Sequence, residues 1–198
     1  MAVGAYPTAI NPATGDLYYP SATAPSEMQA YDHNYLTWTY DPSVGMGGLI
    51  VPTGGVLHVV KMKLDGAALV SNITMCVVSQ GVTLTSGQNF ALLYSNAGAL
   101  IGQTATQHTA WQSVGLKTMA LVTPVTVPAG YVYAGFYSNG STQPNFARGN
   151  QTTAPGGNAG LAAPNLRSAT CDTGLTTTPP STLGTQTANA VTWWIALS

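Results

Sequence analysis

The chain has 198 residues, of which 6% are charged, and a formal net charge of -1, whereas about 25% of residues are charged in ordinary soluble domains. Five Lys and Arg make no basic footprint for phosphate backbones, so nucleic acid is not expected as a partner. No apolar run approaches the roughly 18 residues of a membrane span, so no membrane partner is expected either, and a nearly uncharged surface suits a part of a larger assembly.

Residues 1 to 34 carry Pro7, Pro12, Pro20 and Pro25. Proline removes ladder donors and discourages helix, so this stretch is expected to be an extended arm that anchors the chain or crosses to another subunit. Tyr6, Tyr18, Tyr19 and Tyr31 are its candidate anchors, because a tyrosine offers large contact area with a polar tip. The start of the chain has neither a basic segment nor a continuous apolar one, so no secretory signal is expected. The sequons at Asn72, Asn139 and Asn150 are discounted on the same ground.

Residues 35 to 198 read as one all-β domain, because apolar residues recur at every second position between turn signals. Leu36, Trp38 and Tyr40 are expected on one face of the first strand. Val56, His58, Val60, Met62 and Leu64 follow on one side, with Lys61 and Lys63 opposite. Asp65-Gly66 then predicts a two-residue hairpin, since a type I′ turn needs positive φ at both central positions. Phe90, Leu92 and Tyr94 are the next inward face, and Ser95 to Gly98 is a turn. Met119 to Val127 and Tyr131 to Tyr137 continue the pattern.

The alternation lapses from residue 138 to 189, a stretch rich in Thr, Pro, Gly and Asn. About 50 residues without regular structure are unusual inside a compact domain, and an ordered loop layer over one end of the domain is expected. A terminal strand over residues 190 to 198, with Val191, Trp193, Ile195 and Leu197 alternating, should pair inside a sheet and bring the end of the chain back to its start. Eight or so strands with turns at short intervals predict a two-sheet antiparallel sandwich of jelly-roll type.

Little here resembles reaction chemistry. The carboxylates Asp16, Glu27, Asp32, Asp41, Asp65 and Asp172 form no evident acid-base pair, and His33, His58 and His108 lack metal-ligand spacing. No catalytic, metal or cofactor residue is assigned, and the chain is not read as an enzyme. His58 is expected to be a hydrogen-bonded core histidine and Cys76 a small buried thiol, while a disulfide between Cys76 and Cys171 stays open. Trp111, Tyr137, Phe146 and Trp194 are the candidate contacts for a glycan or a protein partner, because aromatic rings near loops can stack on sugars. Core positions are the other reading for Trp111 and Trp194.

The segment Trp111-Gln112-Ser113-Val114-Gly115-Leu116-Lys117, followed by Pro124-Val125-Thr126-Val127-Pro128-Ala129-Gly130-Tyr131-Val132-Tyr133-Ala134, resembles β-sandwich structural proteins of tailed bacteriophages, of minor tail, tail-fibre or decoration type. Phe146-Ala147-Arg148-Gly149 and Asp172-Thr173-Gly174-Leu175 are similar to their loop layer. The resemblance runs from about residue 55 to the end. It implies a jelly-roll-like virion protein, made in the host cytoplasm, with no catalytic residues. Its implied partners are other copies of itself, most often as a trimer, and other virion proteins. A carbohydrate-binding module contacting a host surface glycan at a tail tip is the alternative.

Overall fold

The computed structural model describes residues 28–45, 50–149 and 153–198, and nearer the start the backbone of β1 (Ala9–Ile10) and β2 (Leu17–Tyr18). β1 and β2 pair antiparallel, so this part of the arm is a ribbon rather than a single extended strand. Tyr6, Tyr19 and the side chain of Tyr18 lie outside the described residues. Tyr31 sits in a short 3-10 turn, Ala30–His33, and is 69% exposed, so it is not anchored on its own domain.

The body follows as β3 (Thr37–Trp38), β4 (His58–Leu64), β5 (Ala68–Ser79), β6 (Val82–Leu84), β7 (Phe90–Ser95) and β8 (Leu100–Gln103). Then come β9 (Gly115–Val127), β10 (Gly130–Tyr137), β11 (Gly140–Thr142), β12 (Asn145–Phe146), the short helix α1 (Ala154–Asn158), β13 (Ser168–Thr170), β14 (Thr187–Ala188) and β15 (Ile195–Leu197). One sheet has the order β14-β13-β4-β10-β7-β8. The other runs β9-β5-β15-β3, with β12 alongside the far end of β5. This is the antiparallel two-sheet sandwich that the alternation predicts.

The pairing is nested. β7 pairs with β8, β5 with β9, β4 with β10 and β3 with β15, all antiparallel, and successive pairs fall in alternate sheets. One long hairpin, folded at the Asn96-Ala97-Gly98 turn, therefore rolls up on itself. Gly98 carries a φ of +86°, which a residue with a β-carbon rarely adopts. The end of the chain returns to its start, as expected. An isolated bridge between Thr104 and Leu121 joins the two sheets along one edge.

The expected hairpin at Asp65-Gly66 is not formed. β4 and β5 lie in different sheets, and Gly66 is not among the residues at positive φ. The chain crosses layers here because Val60, Met62 and Leu64 bury against Ile73, Met75 and Val77 from the opposite sheet, all at 3% exposure or less. Packing of two apolar faces outweighs a local turn preference that a solvated pair of residues can forgo.

The stretch 138–189 does form an ordered layer, but it covers the outer face of the six-stranded sheet rather than one end of the sandwich. The stretch also adds β13 and β14 to that sheet, and Leu166, Cys171, Leu175 and Leu183 pack on Leu57, Val59, Phe90, Leu92, Tyr94, Tyr133 and Tyr137. Three tyrosines of the sheet fasten it, Tyr94 donating to the Pro180 carbonyl at 3.1 Å, Tyr133 to that of Pro164 at 2.9 Å and Tyr137 to that of Thr176 at 2.9 Å. Phe90, Leu92 and Tyr94 thus face this layer, while Ala91 and Leu93 face the sandwich interior. The inward assignment of Phe90, Leu92 and Tyr94 is corrected because the strand is buried on both faces, where alternation does not tell one face from the other.

Two stability measurements check this account. A β-carbon on Gly66 would meet nothing within 4 Å, so Gly66→Ala is expected to be neutral or to stabilise by up to about 1 kcal/mol in urea denaturation; a loss of that size would restore the positive-φ hairpin. Tyr133→Phe removes the hydrogen bond to the Pro164 carbonyl and should cost about 1 kcal/mol in the same assay.

Candidate functional site

Trp111, Tyr137, Phe146 and Trp194, the sequence-predicted contact residues, are all buried, at 4% exposure or less. Trp111 lies in the 3-10 turn Ala110–Gln112 and donates its indole N–H to the Met119 sulfur at 3.2 Å. Its ring meets Phe146 edge-on at 5.0 Å, and Phe146 meets Phe136 at 4.7 Å. Tyr137 is held by the loop layer, its ring 5.6 Å from that of Phe90. Trp111, Tyr137 and Phe146 present no ring to solvent, so they form no stacking platform, and Trp194 alone of the four borders a surface groove. An aromatic residue near a loop fills the core whenever the loop folds over it.

His58 is the buried histidine that its place on an apolar face predicts. It stacks on Phe136 at 5.3 Å, meets Trp193 edge-on at 5.6 Å and has Nδ1 within 3.4 Å of the Asn189 side-chain amide. The described carboxylates each serve their own loop or a neighbouring one. Asp32 accepts from Gln29 N–H, Asp41 caps the Pro42–Val44 turn through Ser43 N–H, Asp172 accepts from Gly184 N–H, and Asp65 pairs with Lys63. Hydrogen bonds from Ser43 hold the Asp41 carboxyl below its usual range. Among the described residues no three His, Cys, Asp or Glu gather as metal ligands.

A concavity of about 420 Å³ lies on the outer face of the five-stranded sheet. Thr37 turns inward on β3, and Thr39 donates its hydroxyl to the Trp193 carbonyl while accepting from Ile195 N–H. Trp38 and Tyr40 therefore point outward, not into the core as an apolar strand face suggests. They join His33 and Tyr35 before the strand, Cys76 and Val78 on β5, Leu116 on β9, and Ala147, Arg148 and Trp194. Tyr35 meets Trp194 edge-on at 6.0 Å, and His33 lies 5.2 Å from Trp38.

Cys76 is half-buried in this groove rather than fully buried, and both Cys76 and Cys171 are free thiols. Burial raises both, that of Cys171 to about 12, so neither is poised as a thiolate. Burial likewise raises the Tyr40 hydroxyl far above its usual range, against a smaller opposing pull from Arg148. The Tyr40 hydroxyl and the Trp194 indole N–H are buried without a hydrogen-bond partner. Such an arrangement can hold apolar surface and donate to a carbonyl, but it has no nucleophile or acid-base pair.

Sequence reasoning singled out Trp194 but missed His33, Tyr35, Trp38, Tyr40 and Arg148 as neighbours in a groove. The signal that could have found the strand residues is the Tyr35, Trp38, Tyr40 cluster on a short strand following a Pro-rich arm, because an edge strand has one side without a sheet neighbour. No protein-family model and no curated protein matches the chain.

Burial lowers the His58 imidazole to about 4 from an ordinary 6.5. The unfolded chain therefore takes up a proton first on acidification. Stability contributed by the neutral ring is intact above the unfolded value and falls as the pH drops toward 4, by on the order of 3 kcal/mol at most. Urea denaturation of the wild type and His58→Phe across this range should show that the wild type loses more stability on acidification than the variant does.

Proposed function

We propose that this chain is a non-catalytic structural protein of a bacteriophage particle, a minor tail or capsid-decorating component that assembles with copies of itself and with other virion proteins. The observation that carries the assembly reading is the outer face of the five-stranded sheet. Val78 and Leu116 line the aromatic groove at 42% and 57% exposure, and Leu36 and Val122 are exposed elsewhere on the same sheet at 41% and 66%. The outward positions on β3, β5, β9 and β15 carry no charged side chain. The opposite sheet hides its outer face under the chain's own loop layer, so the two faces are treated unequally. Exposed apolar side chains beside an aromatic groove suit a protein contact, with Arg148 the one basic side chain lining that groove apart from His33.

The nested pairing supports the finer fold assignment. A hairpin wound so that first strand pairs with last, with successive pairs in alternate sheets, is the course of a jelly roll. The resemblance of the Trp111–Lys117 and Pro124–Ala134 segments supports the virion setting.

Light scattering of the purified chain is expected to give a discrete oligomer, with a trimer favoured. Placing charge on the face with Val78→Glu and Leu116→Glu should shift it to monomer without lowering its melting temperature by more than a few degrees, since both positions are solvent-exposed. A wild-type monomer at all accessible concentrations would overturn the assembly reading.

A further inference from the structure

The whole chain has five Lys and Arg, and Lys61, Lys63 and Arg167 line one cavity of about 300 Å³ at the sandwich edge near β3 and β4. Lys61 and Lys63 flank the buried Met62, so both lie on the outer face of β4, opposite Tyr133 and Tyr131 of β10. The loop layer caps Tyr133 through Pro164, whereas Tyr131 is 52% exposed. Arg167 immediately precedes β13 and is set beside Lys61 by the Lys61 N–H donating to the Arg167 carbonyl at 2.7 Å. Sheet register and layer together therefore concentrate most of a very sparse positive charge in one place.

The present partners of these cations do not use their full capacity. Lys61 donates to the Asn165 side-chain oxygen at 3.0 Å and lies 4.8 Å from the Tyr131 ring centroid and 5.4 Å from that of Tyr133. Lys63 pairs with Asp65 at 3.0 Å, the one carboxylate in these contacts. Arg167 donates one guanidinium N–H to the Thr39 carbonyl at 3.2 Å, leaving a planar fork of donors that fits a carboxylate. Asp65 offsets one of the three positive charges, and an anion seated among them relieves the repulsion that remains. Trp38 and Tyr131 place aromatic rings on the same cavity, and a ring face beside a cationic fork matches a sugar that carries an acid group.

We propose that this cavity binds an anionic saccharide of the uronate class, with Arg167 and Lys63 on the carboxylate and Tyr131 against the sugar ring. The site is separate from the buried aromatics and from the assembly face, although Trp38 borders both cavities.

Calorimetric titration of the full-length protein with tetragalacturonate, and with neutral maltotetraose as control, tests the assignment. Binding is expected for the uronate alone at low salt, and it should weaken several-fold as ionic strength rises to about 0.15 M. Lys63→Glu and Arg167→Ala should each weaken it about tenfold, and Tyr131→Ala about threefold, with far-UV circular dichroism and melting unchanged in all three. No binding of tetragalacturonate, or affinity untouched by both Lys63→Glu and Arg167→Ala, would overturn the site. An affinity for inorganic phosphate or a short single-stranded oligonucleotide equal to that for the uronate would overturn the assignment to a sugar.

Discussion

The ring of Phe136 is the contact on which the two sheets depend. It lies 5.3 Å from His58 on the neighbouring strand of its own sheet, 4.7 Å from Phe146 and 5.4 Å from Trp193 on the facing side, and 6.3 Å from Trp111 in a connecting turn. Most of these contacts are edge-to-face, the arrangement in which aromatic quadrupoles attract. Five separate pieces of chain thus share one desolvated cluster. Because these residues come from both sheets and from a connecting turn, the cluster ties the two layers of the rolled hairpin together.

A second constraint acts outside the sandwich. The six-stranded sheet is apolar on its inner face and, away from Lys61 and Lys63, over much of its outer face, where Leu57, Val59, Phe90, Leu92 and Tyr94 would be exposed without a cover. The chain covers it with an irregular layer of its own, fastened by three tyrosine hydroxyls to backbone carbonyls that have no strand partner. A loop layer leaves many carbonyls unmet by regular structure, and a row of phenols projecting from a sheet is a rigid way to meet them. The sandwich is therefore covered by a third layer on one side and by none of the described residues on the other.

That asymmetry organises the functional reading. The uncovered side carries an aromatic groove with Arg148 in its lining, and the proposed assembly contact lies there. The rim of the covered side, where the layer stops short of Tyr131, concentrates the sparse cations beside rings. With only 6% of residues charged, the position of each cation carries more weight than in an ordinary domain. An assembling structural part and a weak acidic-sugar contact can coexist on one chain, since they use different faces.

Much of the architecture was legible in the residues themselves. Two-residue alternation marked most of the strands, and the pattern Val191, Trp193, Ile195, Leu197 foretold a returning terminal strand that pairs with β3. His58 among apolar neighbours foretold a core histidine. Alternation states a period, however, and does not state which face another part of the chain will cover. Hence the inward face of β7 is Ala91 and Leu93 rather than Phe90, Leu92 and Tyr94, the face shared by Trp38 and Tyr40 is the outward one, and Phe146 is buried although it is a candidate contact, while Trp111 takes the core position that was its other reading. Asp65-Gly66 misled for a related reason, since a local turn preference of a few tenths of a kcal/mol yields to strand pairing decided far away. The site residues were the least legible of all. Lys61, Lys63 and Arg167 are brought together by sheet register and by the return of the loop layer, and the groove by pairing of β3 with β15. The sequence by itself determined the β class and the sparse charge, because both follow from local composition and spacing. Tertiary structure alone decided which faces are open, because burial depends on contacts between segments distant in the chain.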